Sequence, residues 1–285
     1  MAVRLLSRPP DRSMYPASAG LRVVSLARTL VAEQIEYREL LVQMVKRDLL
    51  IRYKQTVMGF GWAVFMPLVN TVIFSIVFTR VAHVDTGLPY PLYAYCGLLA
   101  WNFTASSLRF AVVSLTGNAN LVTKIYFPRE IFPFSAVLVA LVDTAIGSSV
   151  LVALMIWYRV DVHWTVLALP VIVLAHVTLT SALALLLAVG HLFYRDVKYV
   201  FDIVLNVAMF VTSVVYPVDR IGGPIGRLLA LNPVTIIIDA YRDVLLRGTL
   251  PPAAPFVAAG CFSAVLLLAA WIVFHRGELT FAENM

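Results

Sequence analysis

Charge is scarce in this sequence. Asp, Glu, Lys and Arg make up 13% of its 285 residues against 61% hydrophobic side chains, and the mean hydropathy is +0.87. So little polar surface excludes a soluble domain and makes the chain an integral membrane protein. Period-two alternation is missing from the apolar runs, which excludes a transmembrane barrel and leaves helices. Cysteine is rare: Cys96 and Cys261 lie far apart in apolar runs and suggest neither a disulfide framework nor a metal site. No G-x-x-x-x-G-K-[ST] loop occurs, so the chain does not cradle ATP by that mechanism, and no H-E-x-x-H, G-x-S-x-G or paired-acid pattern suggests catalysis. A proton relay is not drawn either, because Asp143, Asp202, His176 and His191 are scattered over three helices. Asp143 reads instead as a hydrogen-bond partner for neighbouring helices and His176 as a packing residue. The formal charge of +6 does not point to nucleic acid, since the cations sit beside apolar runs, where anionic lipid headgroups are the partner.

What is present is a series of apolar runs near the roughly 20 residues a bilayer requires. Six are expected to cross it, over 59–81, 92–115, 132–158, 164–193, 200–216 and 254–274. The predicted fold is an all-α membrane domain of six transmembrane helices over residues 57–285. Residues 1–32 carry five arginines and three prolines without a signal-peptide core, and read as a flexible cytoplasmic tail. Residues 33–56 read as an amphipathic interface helix, apolar on one side, with Lys46, Arg47, Arg52 and Lys54 toward headgroups or a partner. Pro67 is expected to kink the first span and Asn70 to seek a partner across helices. Arg109 belongs in the inner turn of the second span, Asp202 near the inner end of the fifth. Tyr90, Tyr93 and Tyr95 read as an interfacial aromatic belt.

Two segments differ from simple connections. Residues 118–133, NANLVTKIYFPREIFP, form the polar break between two long apolar stretches. Asn118 or Asn120 is expected to cap a short helix there, and Pro128 to stop it. Either this is a tight loop whose Lys124 and Arg129 follow the positive-inside rule, or it is a docking helix on which a cytoplasmic partner pushes. Residues 217–252 are divided by Pro217, Gly222, Gly223, Pro224, Asn232 and Pro233 into apolar pieces too short to span, which fits outer re-entrant half-helices. Arg220, Arg227, Arg242 and Arg247 break the positive-inside expectation for an outer loop. Ten of the 22 Lys and Arg precede Gly59, however, and hold the N-terminus inside, while Asp219, Asp239 and Asp243 compensate the outer arginines locally. Both termini are then cytoplasmic.

RYKQTVMGFGWAVFMPL (52–68), GLLAWNFTASSL (97–108), the 118–133 stretch, FYRDVKY (193–199) and LNPVTIIIDAYRDVLL (231–246) follow one another in an order that resembles the permease subunit of ABC-2 type polysaccharide exporters, from about Arg47 onward. The resemblance implies a bacterial inner-membrane homodimer that passes a polyprenyl-linked O-antigen, capsule or teichoic-acid chain. It also implies two copies of a separate subunit that binds ATP and Mg, with no cofactor in this chain. On that basis Asn120, Lys124, Tyr126, Phe127, Pro128, Arg129 and Glu130 couple to the ATPase, with Arg52, Tyr53, Lys54 and Gln55 beside them. Trp62, Phe65, Trp101, Phe103 and Tyr216 are the aromatic candidates for a sugar passage, because a pyranose presents C–H faces to a ring. Pro217, Asn232, Pro233, Asp239 and Arg242 belong to an outer gate. One departure is Thr212-Ser213-Val214, where the family usually has Thr-Pro-Val. Export of another lipid or drug by the same fold, an ion-coupled carrier and a membrane-embedded glycan enzyme are the alternatives; the last two need a midplane charge site or catalytic acids that the sequence does not offer.

Overall fold

A computed structural model describes residues 36–54, 56–81, 86–124, 127–218 and 221–278, leaving aside the side chains of Val81, Thr123, Lys124 and Glu278. The expected tail, the start of the interface helix, Gln55, Tyr126, Asp219 and Arg220 lie outside the described residues. The chain divides into residues 1–38 and 39–285; of the first unit only residues 36–38 are described. All regular structure among the described residues is helical.

The first helix, α1 (Arg38–Tyr53), is followed by α2 (Gly61–Ile76), which runs through Pro67 and loosens into a π turn at Val77–Val81. Pro67 has no N–H to give the Ala63 carbonyl, and Thr71 Oγ1 returns a bond to the Pro67 carbonyl at 2.8 Å. Next come α3 (Tyr90–Val112), a 3-10 turn at Thr116–Asn118 and the short α4 (Ala119–Lys124). The pieces Tyr90–Val112 and Thr116–Val122 are bent by 52° to one another. Asn118 does not reach forward to cap α4: its Nδ2 donates back to the Ser114 carbonyl at 2.8 Å and satisfies an orphan acceptor at the end of α3.

Two long helices follow, α5 (Ile131–Trp157) and, after a 3-10 turn at Trp164–Ala168, α6 (Leu169–Phe193). The shorter α7 (Val197–Phe210), α8 (Gly223–Ala230) and α9 (Pro233–Arg242) precede a π turn at Asp243–Arg247 and the long α10 (Ala253–Glu278). Four helices have the length and apolarity to cross a membrane, Gly61–Arg80, Ile131–Trp157, Trp164–Phe193 and Ala253–Gly277, and the bent pair around α3 makes a fifth. These fall where the sequence predicts the first four spans and the last. Over the span expected at 200–216, α7 ends after 14 residues and turns occupy 211–216.

The core is built around α3, which packs against α2, α5, α6, α7 and α9, while α10 packs along α6 and against α9. Tyr93 and Tyr95 are fully buried within α3 and Tyr90 is 6% exposed, so these rings are core rather than belt. Each hydroxyl finds an acceptor or partner inside, Tyr95 on the Gly147 carbonyl at 2.8 Å and Tyr90 on the Val215 carbonyl at 2.8 Å, as a buried phenol requires. His176 does pack between helices: its Nε2 lies 2.7 Å from Thr104 Oγ1 and its ring stands edge-on to Phe103. By contrast, only 11% of the α2 span is buried inside the chain. That face, with Phe65, Met66, Val72, Ile73 and Ile76, is left for lipid or a second subunit.

Candidate functional site

On the side where α1 meets the bundle, a cavity of about 590 Å³ opens between α1, α2, α3 and α5. Its wall includes Arg52, Tyr53, Trp62, Asn70, Asn102, Ser106, Arg109 and Asp143, a density of polar groups that the apolar faces around it do not approach. Its anchor is Asp143, the one acid in α5. The carboxylate pairs with the Arg52 guanidinium through Oδ2 and accepts the Tyr53 hydroxyl on Oδ1 at 2.7 Å. Arg52 also lies 3.8 Å above the Phe110 ring. The two ionic side chains are 18% and 15% exposed, so water screens the pair poorly. Burial first, and then the hydrogen bond and charge of Asp143, push the Tyr53 phenol up to about 12. The last turn of α1 is thereby fastened to the middle of α5 across 90 residues of sequence. Asp143 is the inter-helix partner its apolar surroundings require.

Trp62 faces this cavity, with Phe65 edge-on to it at 5.7 Å. Trp101 and Phe103 do not face it. They are 6% and 2% exposed and belong to the apolar core that α3 forms with α5, α6 and α7. Tyr216 donates its hydroxyl to the Phe210 carbonyl at the end of α7. Arg109 lies 3.6 Å from Asp202, which links the C-terminal end of α3 to α7.

The segment after α3 turns part of its surface inward. Phe127 is 6% exposed and packs on Phe132 at 5.5 Å. Glu130 is 1% exposed and accepts the Trp271 indole N–H of α10 at 3.1 Å; its other oxygen, Oε2, has no partner among the described residues. Asn120 and Lys54 are exposed, and Pro128 and Arg129 are half-buried. Nothing in the sequence pointed to Trp271, which lies 141 residues from Glu130.

The stretch that contains α9 is held by a buried arginine. Asn232 caps α9 by accepting the Val234 N–H at 3.0 Å, and Pro233 occupies the first turn, where its missing N–H costs nothing. One α-helical face further, Arg242 is 0% exposed. Its Nη1 donates to Asp239 Oδ1 at 2.8 Å, to Ser213 Oγ at 3.1 Å and to the Ser213 carbonyl. Its Nη2 donates to the Val214 carbonyl at 2.7 Å, and the guanidinium stacks 3.6 Å above the Tyr93 ring. A side chain at residue 97 would overlap this guanidinium and the Val214 carbonyl, so the close approach requires Gly97. Thus Thr212-Ser213-Val214 supplies an arginine cradle through its free carbonyls. Tyr93 and Gly97, one turn apart on α3, are the only local signal that a large group lies against that face.

The chain belongs to the ABC-2 type transporter family, whose pattern matches residues 39–246. Among curated relatives, the chain is 31% identical over 259 residues to the O-antigen export system permease protein RfbA of Myxococcus xanthus, covering 90% of this chain and 99% of that one. Two RfbA permeases of Klebsiella pneumoniae are 26% and 27% identical, over 86% and 74% of this chain and 94% and 82% of their own lengths.

Proposed function

We propose that this chain is the membrane permease subunit of an ABC transporter that exports a polyprenyl-linked polysaccharide across the bacterial cytoplasmic membrane. The observation that carries the reading is the 31% identity to an O-antigen export permease along nearly the whole of both chains. Energy comes in trans, from two ATPase subunits that bind ATP and Mg, since the sequence has no phosphate loop. Two permease copies meet along the sparsely buried faces that include α2, and six crossings per copy place both termini in the cytoplasm; α7 with the turns at 211–216 completes the fifth of them.

In this reading Asn120, Lys124, Tyr126, Pro128 and Arg129 offer the contact surface for the ATPase. Phe127 and Glu130 fasten that surface to α5 and α10 through Phe132 and Trp271. Lys54 and Gln55 serve the same coupling role, and Arg52 and Tyr53 transmit displacement of α1 to Asp143. Trp62 and Phe65 line the glycan's path, where the two copies face one another. Trp101 and Phe103 support that wall from within the core. At the outer end, Pro217, Asn232, Pro233, Asp239 and Arg242 form the gate, and Tyr216 sits at its edge.

The assembly step is testable by purification. The chain alone, in detergent, is expected to show no ATP turnover, and the phosphate-loop ATPase encoded beside it is expected to co-purify and hydrolyse ATP. Turnover by the isolated permease, or failure of that ATPase to bind, would contradict energy supplied in trans.

A further inference from the structure

A second cavity, of about 290 Å³, lies between α3, α5, α6 and α9. Its wall is mostly hydrocarbon, from Leu99, Phe103, Leu151, Leu169, Val173 and Leu245, and no Asp, Glu, Lys or Arg among the described residues lines it. Thr144 and Ser148 also line it, but each returns its hydroxyl to a carbonyl of α5, at 2.8 and 2.7 Å. Two polar atoms are left over. His176 is 1% exposed; its Nε2 is taken by Thr104 Oγ1 at 2.7 Å, whereas its Nδ1 has no hydrogen-bond partner among the described residues. The Tyr241 ring lies 5.8 Å from the imidazole, and its hydroxyl has no such partner either. Both side chains line the cavity, and neither atom belongs with the enclosed, unpartnered groups of the described residues, such as the Thr180 and Thr235 hydroxyls. Each therefore keeps an open side.

The mouth of the cavity is on the lipid side. Ala145 of α5 is exposed there, and Leu141, Leu169 and Val173 are half-buried. Because α5 and α6 both have the length and apolarity to cross a membrane, what enters between them comes from hydrocarbon rather than from water. Polarity decides its class. A charged group would lose its hydration against a wall that carries no counter-ion, and a plain hydrocarbon would leave both open polar atoms unsatisfied. A hydroxyl suits both, since it donates and accepts, whichever ring nitrogen of His176 carries the proton. Volume sets the size: an apolar cavity of about 150 Å³ takes benzene, so 290 Å³ takes a two-ring skeleton or a chain of similar bulk.

We infer that this cavity binds an uncharged, membrane-dissolved alcohol or phenol, with its hydroxyl against His176 and Tyr241 and its hydrocarbon among Leu99, Phe103, Leu151 and Val173. This ligand is distinct from the exported glycan. Tyr241 and Leu245 bring α9 and the π turn to one wall, while α5 and α6 supply others, so the occupant fills the space between them. Tyr241 also precedes Arg242, and the ligand therefore bears on the helix that the buried arginine anchors.

The test uses the full-length permease in lipid nanodiscs and radiolabelled 1-naphthol, with label that excess unlabelled 1-naphthol does not displace subtracted as partition into lipid. One saturable site per copy is expected. Tyr241→Phe keeps the volume and loses the hydroxyl, and is expected to weaken binding about three- to tenfold. Ala145→Phe is expected to occupy the exposed mouth and weaken binding as well. Naphthalene is expected to compete about three- to tenfold less well than 1-naphthol, and 1-naphthyl phosphate not to compete. Both variants are expected to elute with the wild type on gel filtration, which separates weakened binding from a failure to fold. No saturable component, saturable binding that ignores both substitutions, or equal competition by naphthalene or 1-naphthyl phosphate would overturn the inference.

Discussion

Arg242→Ala is expected to cost about 3–5 kcal/mol of stability and to abolish export. The substitution removes the donors to the Ser213 and Val214 carbonyls and the guanidinium that balances Asp239, which keeps only the Ser213 hydroxyl as a donor at 2.8 Å, and it opens a void over the Tyr93 ring. The Ser213 and Val214 carbonyls lie in fully buried residues with no water to turn to, and each unpaired acceptor adds its own desolvation cost. Arg242→Lys is expected to recover little. A single ammonium cannot donate in two directions at once or stack as a plane, both of which this cradle uses. The thermal midpoint of the purified permease, read by fluorescence-detected gel filtration, checks the stability loss; cell-surface glycan checks export. A lysine variant with wild-type midpoint and export would show that charge alone, rather than the planar fork, holds α9 to α3.

Asp143→Asn is the second substitution with a large expected effect. It leaves the Arg52 guanidinium, 18% exposed, without its anion, and breaking a buried pair from one side costs about 3 kcal/mol or more. Removing both charges, Arg52→Gln with Asp143→Asn, is expected to be less damaging than the sum, with a coupling of about 0.5–3 kcal/mol between them. Tyr53→Phe loses only a hydroxyl bond and is expected to cost about 1 kcal/mol. Export is expected to suffer beyond stability, because α1 then loses its ionic tie to α5 and keeps the weaker bond of the Ser135 hydroxyl to Asp48. The discriminating result is a double variant that regains its thermal midpoint but not its export: stability follows charge balance, and transmission follows the bond itself. Additive costs for the two single changes would show that the pair carries no coupling.

The parts of this molecule that were legible in its sequence are the ones fixed by local chemistry. Uninterrupted apolar runs placed the spans at Ile131–Trp157 and Trp164–Phe193 to within a residue or two of their ends. Asn232-Pro233 announced the start of α9, since cap and first turn are written within three residues. Asp143 could be read as needing a partner, because an acid in apolar surroundings always does; which partner could not be read, because Arg52 lies 91 residues away. The same distance problem hid the Arg242 cradle, whose pieces come from α3, the 211–216 turns and α9. Aromatic residues misled where type alone cannot separate roles. Tyr93 in a membrane belt and Tyr93 beneath a guanidinium look identical in sequence, and so do Trp62 on a cavity wall and Trp101 in the core. Over 200–216 composition suggested a span, whereas the helix stops at Phe210 and the turns after it leave the Ser213 and Val214 carbonyls available to Arg242.

A lipid-linked glycan is expected to pass this permease only when a partner subunit hydrolyses ATP. The most direct test is a reconstituted one: proteoliposomes holding the permease with its ATPase, cytoplasmic face outward, loaded with radiolabelled polyprenyl-linked glycan in the outer leaflet. ATP with Mg is expected to make the label resistant to externally added glycosidase, and a non-hydrolysable ATP analogue or omission of the ATPase to leave it sensitive. Protection driven by an ion gradient without ATP, or none despite ATP turnover by the assembled complex, would contradict it.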